Sequence, residues 1–400
     1  MEQVIHAHEV EQEIRSEIES TFELIMLDTE QIKSTRELWK EVFPEETKEF
    51  LDYYFTYGVK DAIVCAVQEE ETISALYLTP CSAAMRRVPH LLEMHHLPCM
   101  TDIARVDTYL ISAAATKQAY RKRGYMRRLL SGVFEYQRRL KIPFCMVSAK
   151  ESIFFEHFGF HYIYDKPHYE LNTKMISKEM LERAAGGEIV HLSPYNVTLS
   201  MADKGDLLLL AHFVNANLCK RYGVFNIRSA VYYERFQQEL RSRKGELYQI
   251  IEEGQIKGYF AYAKDSVEQI CEVVFENEAD IESFFYTTKI KKPTTMARIV
   301  NLDEILKHIA SNGKVTIAIR LVDPIIAEND GLFIWYLNEN GSRMERVEEV
   351  CDGDDPSMRP EVTTTIGEFT AFIFGYSKLK QNTKFDSIYL SGPTWLNERL

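Results

Sequence analysis

Hydrophobic and polar positions along the chain change period in a regular order. "TFELIMLD" reads as a short strand, and "TEQIKSTRELWKEVF" as a helix capped by Thr29, with Ile32, Leu38 and Trp39 on one side. A second helical run, "EETKEFLDYYFTY", follows the break at Pro44. "DAIVCAVQ" and "ISALYLTP" flank the polar "EEET" and predict a hairpin; "RVDTYLISAAAT", rich in β-branched and aromatic residues, predicts a central strand. From Met126 the apolar positions recur at Leu129, Leu130, Val133, Phe134 and Leu140, while Arg127, Arg128, Arg138 and Arg139 fall mostly elsewhere on the wheel. That is an amphipathic helix. "PFCMVSAK" returns as a strand, so Gly124 opens a helix inside a strand–helix–strand unit.

The breaks "AAGGE" and "TTKIKKPTTM" divide the rest. Between them lie the helical "DLLLLAHFVNANLCKRY" and the strand-like "ELYQIIEEGQIKGYFAYAK". After them come "ARIVNLDEILKHIA", the alternating "KVTIAIRLVD", turn signals around "LFIWYL", and the helical "IGEFTAFIFGYSKL". Residues 1–21 are polar and acidic and read as a leader. No repeat or low-complexity tract interrupts the pattern.

Composition narrows the function classes. A chain of 400 residues predicts two or three domains. Its formal charge of −13 argues against a general nucleic-acid binder and suits small cationic partners. The seven cysteines are scattered without a CxxC pair, which supports neither a disulfide framework nor a zinc site and fits a reducing cytoplasm. No run approaches the ~20 apolar residues of a membrane span. His157, His161 and His168 have no metal-ligand spacing, so no metal is expected.

The stretch "AAATKQAYRKRGYMRRLL" carries the chemistry. Free N–H groups and the positive dipole end at a helix start attract anions. Gly124 lets a ligand approach the backbone closely, and Arg121, Lys122, Arg123 and Arg127 add charge-assisted donors for a pyrophosphate or 3′-phosphate. The patterns of a P-loop or a dinucleotide-binding turn are absent.

The order of elements, "RKRGYM" and "FFEHFGF" resemble the GCN5-related N-acetyltransferases (GNATs), whose acetyl-CoA signature is R/Q-x-x-G-x-G/A. Arg121 and Gly124 match it; Met126 replaces the last small residue. The closing segments and the overall length are similar to the enhanced intracellular survival (Eis) family. That resemblance implies an α+β, mixed α/β architecture. It consists of a GNAT domain at 22–186, a second and degenerate GNAT-like domain at 187–290, and a sterol-carrier-protein-like α+β domain at 291–400. It implies acetyl-CoA as co-substrate, amine acceptors such as aminoglycosides, polyamines or lysine, and a homo-oligomer, in relatives commonly a hexamer. Its cofactor contacts fall on Ala114, Ala115 and Thr116, on Lys122, Arg123, Gly124, Tyr125, Met126 and Arg127 with Arg121, and on Lys150 and Glu151. Glu45, Glu46 and Asp52 are the candidates for the acceptor's ammonium groups. The family's acid tyrosine corresponds to Phe155, which has no proton to give, and its base, a terminal carboxylate, corresponds to Leu400. Water, Tyr125 or Tyr162 are the sources considered for the missing proton, and a non-catalytic acyl-CoA or lipid-binding regulator is the alternative function.

Overall fold

The backbone alternates sides at every residue of the first strands, and this dictates a sheet covered on both faces. In the computed structural model, which describes residues 2–28, 30–86, 103–148, 152–288, 291–347, 359–379, 383–389 and 392–398, the first unit opens with helix α1 (Glu2–Phe22). Strand β1 (Ile25–Leu27), helices α2 (Arg36–Val42) and α3 (Lys48–Tyr53), and strands β2 (Ile63–Gln68), β3 (Thr72–Arg86) and β4 (Ile103–Thr116) follow. Helix α4 (Tyr125–Arg139), strand β5 (Phe144–Ser148), helix α5 (Ser152–Glu156) and strand β6 (His161–Lys166) complete the unit. Cys65, Val67, Leu76 and Leu78 face α4, whereas Val64, Ala66, Ala75 and Tyr77 face Trp39 and Phe50 of α2 and α3.

The expected hairpin is β2–β3, and the expected central strand is β4. The helix predicted from Thr29 is instead a 3₁₀ turn, Gln31–Thr35, running into α2. Thr29 lies outside the described residues, and Asp28 Oδ1 accepts from the N–H groups of Glu30 and Gln31 at 3.0 and 2.9 Å. Thr47 caps α3, accepting from Phe50 N at 3.1 Å. The polar leader is a helix of 21 residues whose Ile14, Ile18 and Phe22 join the core beside α4. Its Glu11 accepts from the Tyr136 hydroxyl at 2.9 Å, and the residues after it press close to α4. A side chain at Gly132 would meet Leu24 at 2.6 Å and Phe22 at 3.2 Å.

A strand from beyond residue 290 completes the first sheet. Lys292–Ile299 lies between β5 and β6, antiparallel to both, so a boundary drawn at 291 cuts it off from the sheet it belongs to. The short strand Val224–Asn226 joins the same sheet beside β3 and pairs on its other side with Thr394–Trp395.

The middle segment carries helices α6 (Lys178–Ala185), α7 (Leu207–Arg221) and α8 (Ala230–Ser242) around a five-stranded antiparallel sheet. Leu247, Tyr259 and Cys271 pack under α7 and α8, and Tyr248, Ile250 and Phe260 face Leu181 and Ala184 of α6. The last segment holds a four-stranded sheet, from Val315–Val322 to Val362–Thr365, against a helix at Ile366–Ile373. Thr365 and Glu368 close a capping box at that helix start.

Candidate functional site

Strands β4 and β5 run parallel for three residue pairs only, from Tyr109–Cys145 to Ile111–Val147. Past Ile111 no described residue of β5, which ends at Ser148, pairs with β4, and Ser112–Thr116 keeps β3 as its strand partner. A bulge follows at once. Ala113 has φ 45°, and the register with β3 slips between Ala75 and Tyr77. A non-glycine residue held there costs about 1–2 kcal/mol, strain of the kind found at functional sites. Among the described residues no strand pairs with Ala114–Thr116 on the β5 side, while the Ala115 carbonyl accepts from Ser74 Oγ at 3.0 Å.

Thr116 leads to the second part of the site. Its carbonyl accepts from Arg121 Nε at 3.1 Å, which ties the loop 117–124 to the strand end. Lys122 has φ 63° and Gly124 φ 87°, so the chain turns sharply into α4 with no side chain capping the helix. No heavy atom lies within 4 Å of where a Gly124 Cβ would stand. The N–H groups of Tyr125, Met126 and Arg127 stand in the first turn of α4, where the helix itself supplies no acceptor, beside open space at Gly124 and the exposed Lys122 and Arg123. Arg123 lies over the Tyr120 ring at 5.2 Å. Arg127 donates to Pro324 O at 3.1 Å and so also fastens the last segment to the loop. Met126 and Tyr125 lean on the core behind α4, so the methionine at the signature's small-residue position does not fill the cradle. The residues present fit a diphosphate.

Phe155 sits half-buried on α5 among Phe154 and Phe160, ring centroids 5.0 and 5.6 Å away, in the same core cluster as Tyr125 and Tyr162. Lys150, Glu151 and Leu400 lie outside the described residues.

On the acceptor side, Glu45 is exposed, Glu46 Oε2 accepts from Arg243 at 3.1 Å, and Asp52 is paired with Arg36. These two carboxylates hold arginines of the chain itself. Arg243 lies over the Phe50 ring at 4.0 Å, joining the end of α8 to α3.

Two features escape sequence reasoning. Tyr54, at the start of a π-turn (Tyr54–Gly58), is 1% exposed, and its hydroxyl lies 3.4 Å from Ser112 Oγ. Burial pushes its phenol well above the ordinary tyrosine value, while the Ser112 hydrogen bond opposes that shift. The aromatic run "DYYFTY" is the only trace of this in the sequence. The second is Arg228, fully buried, which donates to Glu272 at 2.8 Å, Glu398 at 2.9 Å and Asn397 O at 2.7 Å. It stacks on Tyr232 at 3.9 Å, and Arg235 reaches Glu398 at 3.4 Å. Residues 394–398 are thereby seated between the first sheet and α8. Nothing in the local sequence relates positions 228, 272 and 398.

Among the described residues no cluster of three or more His, Cys, Asp or Glu side chains is placed to hold a metal, and no helix is long and apolar enough to cross a membrane.

Neither a protein-family profile nor a curated protein matches the chain in sequence. Solved structures do match in shape. A probable N-acyltransferase of unknown function from Enterococcus faecalis V583 has 14% identity and a TM-score of 0.66, covering 92% of this chain and 93% of its own. A GCN5-related N-acetyltransferase from Anabaena variabilis ATCC 29413 has 13% identity and a TM-score of 0.65, covering 94% and 98%. Eis1 from Mycobacterium abscessus has 10% identity and a TM-score of 0.62, covering 94% and 100%. The mixed α/β fold of this chain is thus the fold of these proteins over nearly its whole length.

Proposed function

We propose that the chain is an acetyl-CoA-dependent N-acetyltransferase of Eis-like architecture. The observation that carries this reading is the combination of a bulged strand edge at Ser112–Thr116, past the last described pairing with β5, with an uncapped glycine-led helix start at Gly124. The cradle at Lys122–Arg127 would hold the pyrophosphate, and the peptide groups of Ala114–Thr116 would pair with the pantetheine amides. Acetyl-CoA supplies the activated acyl group. The neutral acceptor amine attacks the thioester carbon, the C–N bond forms, the C–S bond breaks, and the electron pair leaves on sulfur.

The acceptor class is the one the family resemblance implies, amines such as aminoglycosides, polyamines or lysine side chains, and a net charge of −13 agrees with a cationic acceptor. Glu46 and Asp52 would reach such a ligand only by exchanging an arginine for it. The second reading is an acyl-CoA-binding regulator without turnover, and Phe155 at the acid's position favours it.

A thiol-release assay with acetyl-CoA and a panel of these amines tests the reading, with calorimetry reporting CoA binding. The expected outcome is saturable release with at least one amine, and faster release for Phe155→Tyr. Tight CoA binding with no release from either protein assigns the regulator, and no CoA binding removes both readings.

A further inference from the structure

Phe155 leaves the departing sulfur without its usual donor, and the buried pair described above stands where another could act. Ser112 is the first residue of β4 past its last pairing with β5, directly before the bulge at Ala113. From Thr116, tied to the cradle by Arg121, the strand edge runs back to Ser112 over roughly 13 Å at ~3.3 Å per residue. A thioester whose diphosphate sits at Gly124 and whose arm follows this edge ends at Ser112. The Ser112 side chain is 7% exposed, and Tyr54 lies within hydrogen-bond reach of it.

We propose that Ser112 is a catalytic residue whose hydroxyl donates to the leaving sulfur, and that Tyr54 is the positioning residue that aims it; this rests on the acetyltransferase reading above. Trp39, 4.6 Å from the Tyr54 ring, and Tyr77, 5.6 Å from it, fix that ring in place. Either hydroxyl of this pair can donate across the 3.4 Å; the deeply buried phenol stays protonated, which leaves Tyr54 able to be the donor. With Tyr54 as the donor, the serine hydrogen is left to turn toward the end of the thioester arm. As the amine nitrogen bonds to the acyl carbon and the C–S pair moves onto sulfur, the Ser112 O–H meets the new negative charge. The ammonium proton passes to solvent, the thiolate takes a proton from solvent after release, and no residue changes its protonation state.

The experiment compares the full-length protein with Ser112→Ala and Tyr54→Phe. Two thioesters are used, acetyl-CoA and an acetyl thioester of CoA's truncated arm carrying a more acidic thiol. Ser112→Ala is expected to lose about tenfold to a hundredfold in kcat with acetyl-CoA, the worth of one hydrogen bond to a charge, and much less with the acidic leaving group. Tyr54→Phe is expected to show the same pattern, smaller, with KM for acetyl-CoA unchanged. A second readout needs no turnover: the thiol of bound CoA, followed by thiolate ultraviolet absorbance against pH, should ionise at lower pH in the unmodified protein than in Ser112→Ala. Equal kcat and equal thiol titration in the two proteins overturn the proposal while the acetyltransferase reading stands. Equal losses with both thioesters, the mark of a merely structural role, also overturn it. Absence of CoA binding by the unmodified protein removes both.

Discussion

Gly124 meets two requirements that no other residue type meets together: a backbone at φ 87° and an empty space beside the helix start. Because nothing lies within 4 Å, Gly124→Ala introduces no clash inside the protein, and its cost to folding is the left-handed backbone alone, about 1 kcal/mol. Its effect on CoA should be larger, since the added methyl enters the space a diphosphate would occupy. We expect a small drop in the urea midpoint and roughly a tenfold weaker CoA affinity by calorimetry, about 1.4 kcal/mol. Affinity equal to that of the unmodified protein would place the diphosphate elsewhere. This position was legible in the sequence because its cause is local: a glycine between a strand and an amphipathic run, with arginines on both sides. Ser112 and Tyr54 were not, because their contact joins positions 58 residues apart and depends on a bulge. The partners of Glu46 and Asp52 were hidden for the same reason; Arg243 is 197 residues from Glu46.

At the scale of elements, strong periodicity translated well and weak periodicity did not. Helix α4 and strands β2 to β5 follow their apolar spacing. Helix α1 was concealed because its apolar residues are interspersed with polar and acidic ones and only a narrow stripe, Ile14, Ile18 and Phe22, joins the core. That stripe is nonetheless structural. Ile18 is 0% exposed against Leu129 and Val133, so Ile18→Ala should cost about 2–4 kcal/mol, visible as a lower midpoint in urea with an unchanged slope. A change below ~0.5 kcal/mol would mean that α1 is not docked in solution. The helix reaches the loop side as well, because Arg128 at the first turn of α4 donates to Glu23, just after α1, at 2.6 Å.

For the whole molecule, the three segments marked by sequence breaks are tied more tightly than those breaks suggest. Breaks in composition reveal where the chain turns, but not that a strand returns to an earlier sheet. Lys292–Ile299 separates β5 from β6, the buried Arg298 of that strand reaches Asp323 at 2.5 Å and Phe158 O at 2.5 Å, and Arg228 clamps residues 397 and 398. A fragment ending at residue 290 therefore lacks both the strand and the clamp. It should expose β5 and β6 to rapid amide exchange; protected β5 amides in that fragment would show that the first unit folds by itself.

The returning strand also sets a schedule for the ribosome. The segment up to Ser148 is synthesised about 150 residues before Ile299 emerges, which at 5–20 residues per second leaves the partly built N-terminal sheet waiting roughly 8–30 s. Through that interval the sides of Phe144–Ser148 and His161–Lys166 that will receive Lys292–Ile299 are bare strand edges, open to wrong pairing until the missing strand arrives.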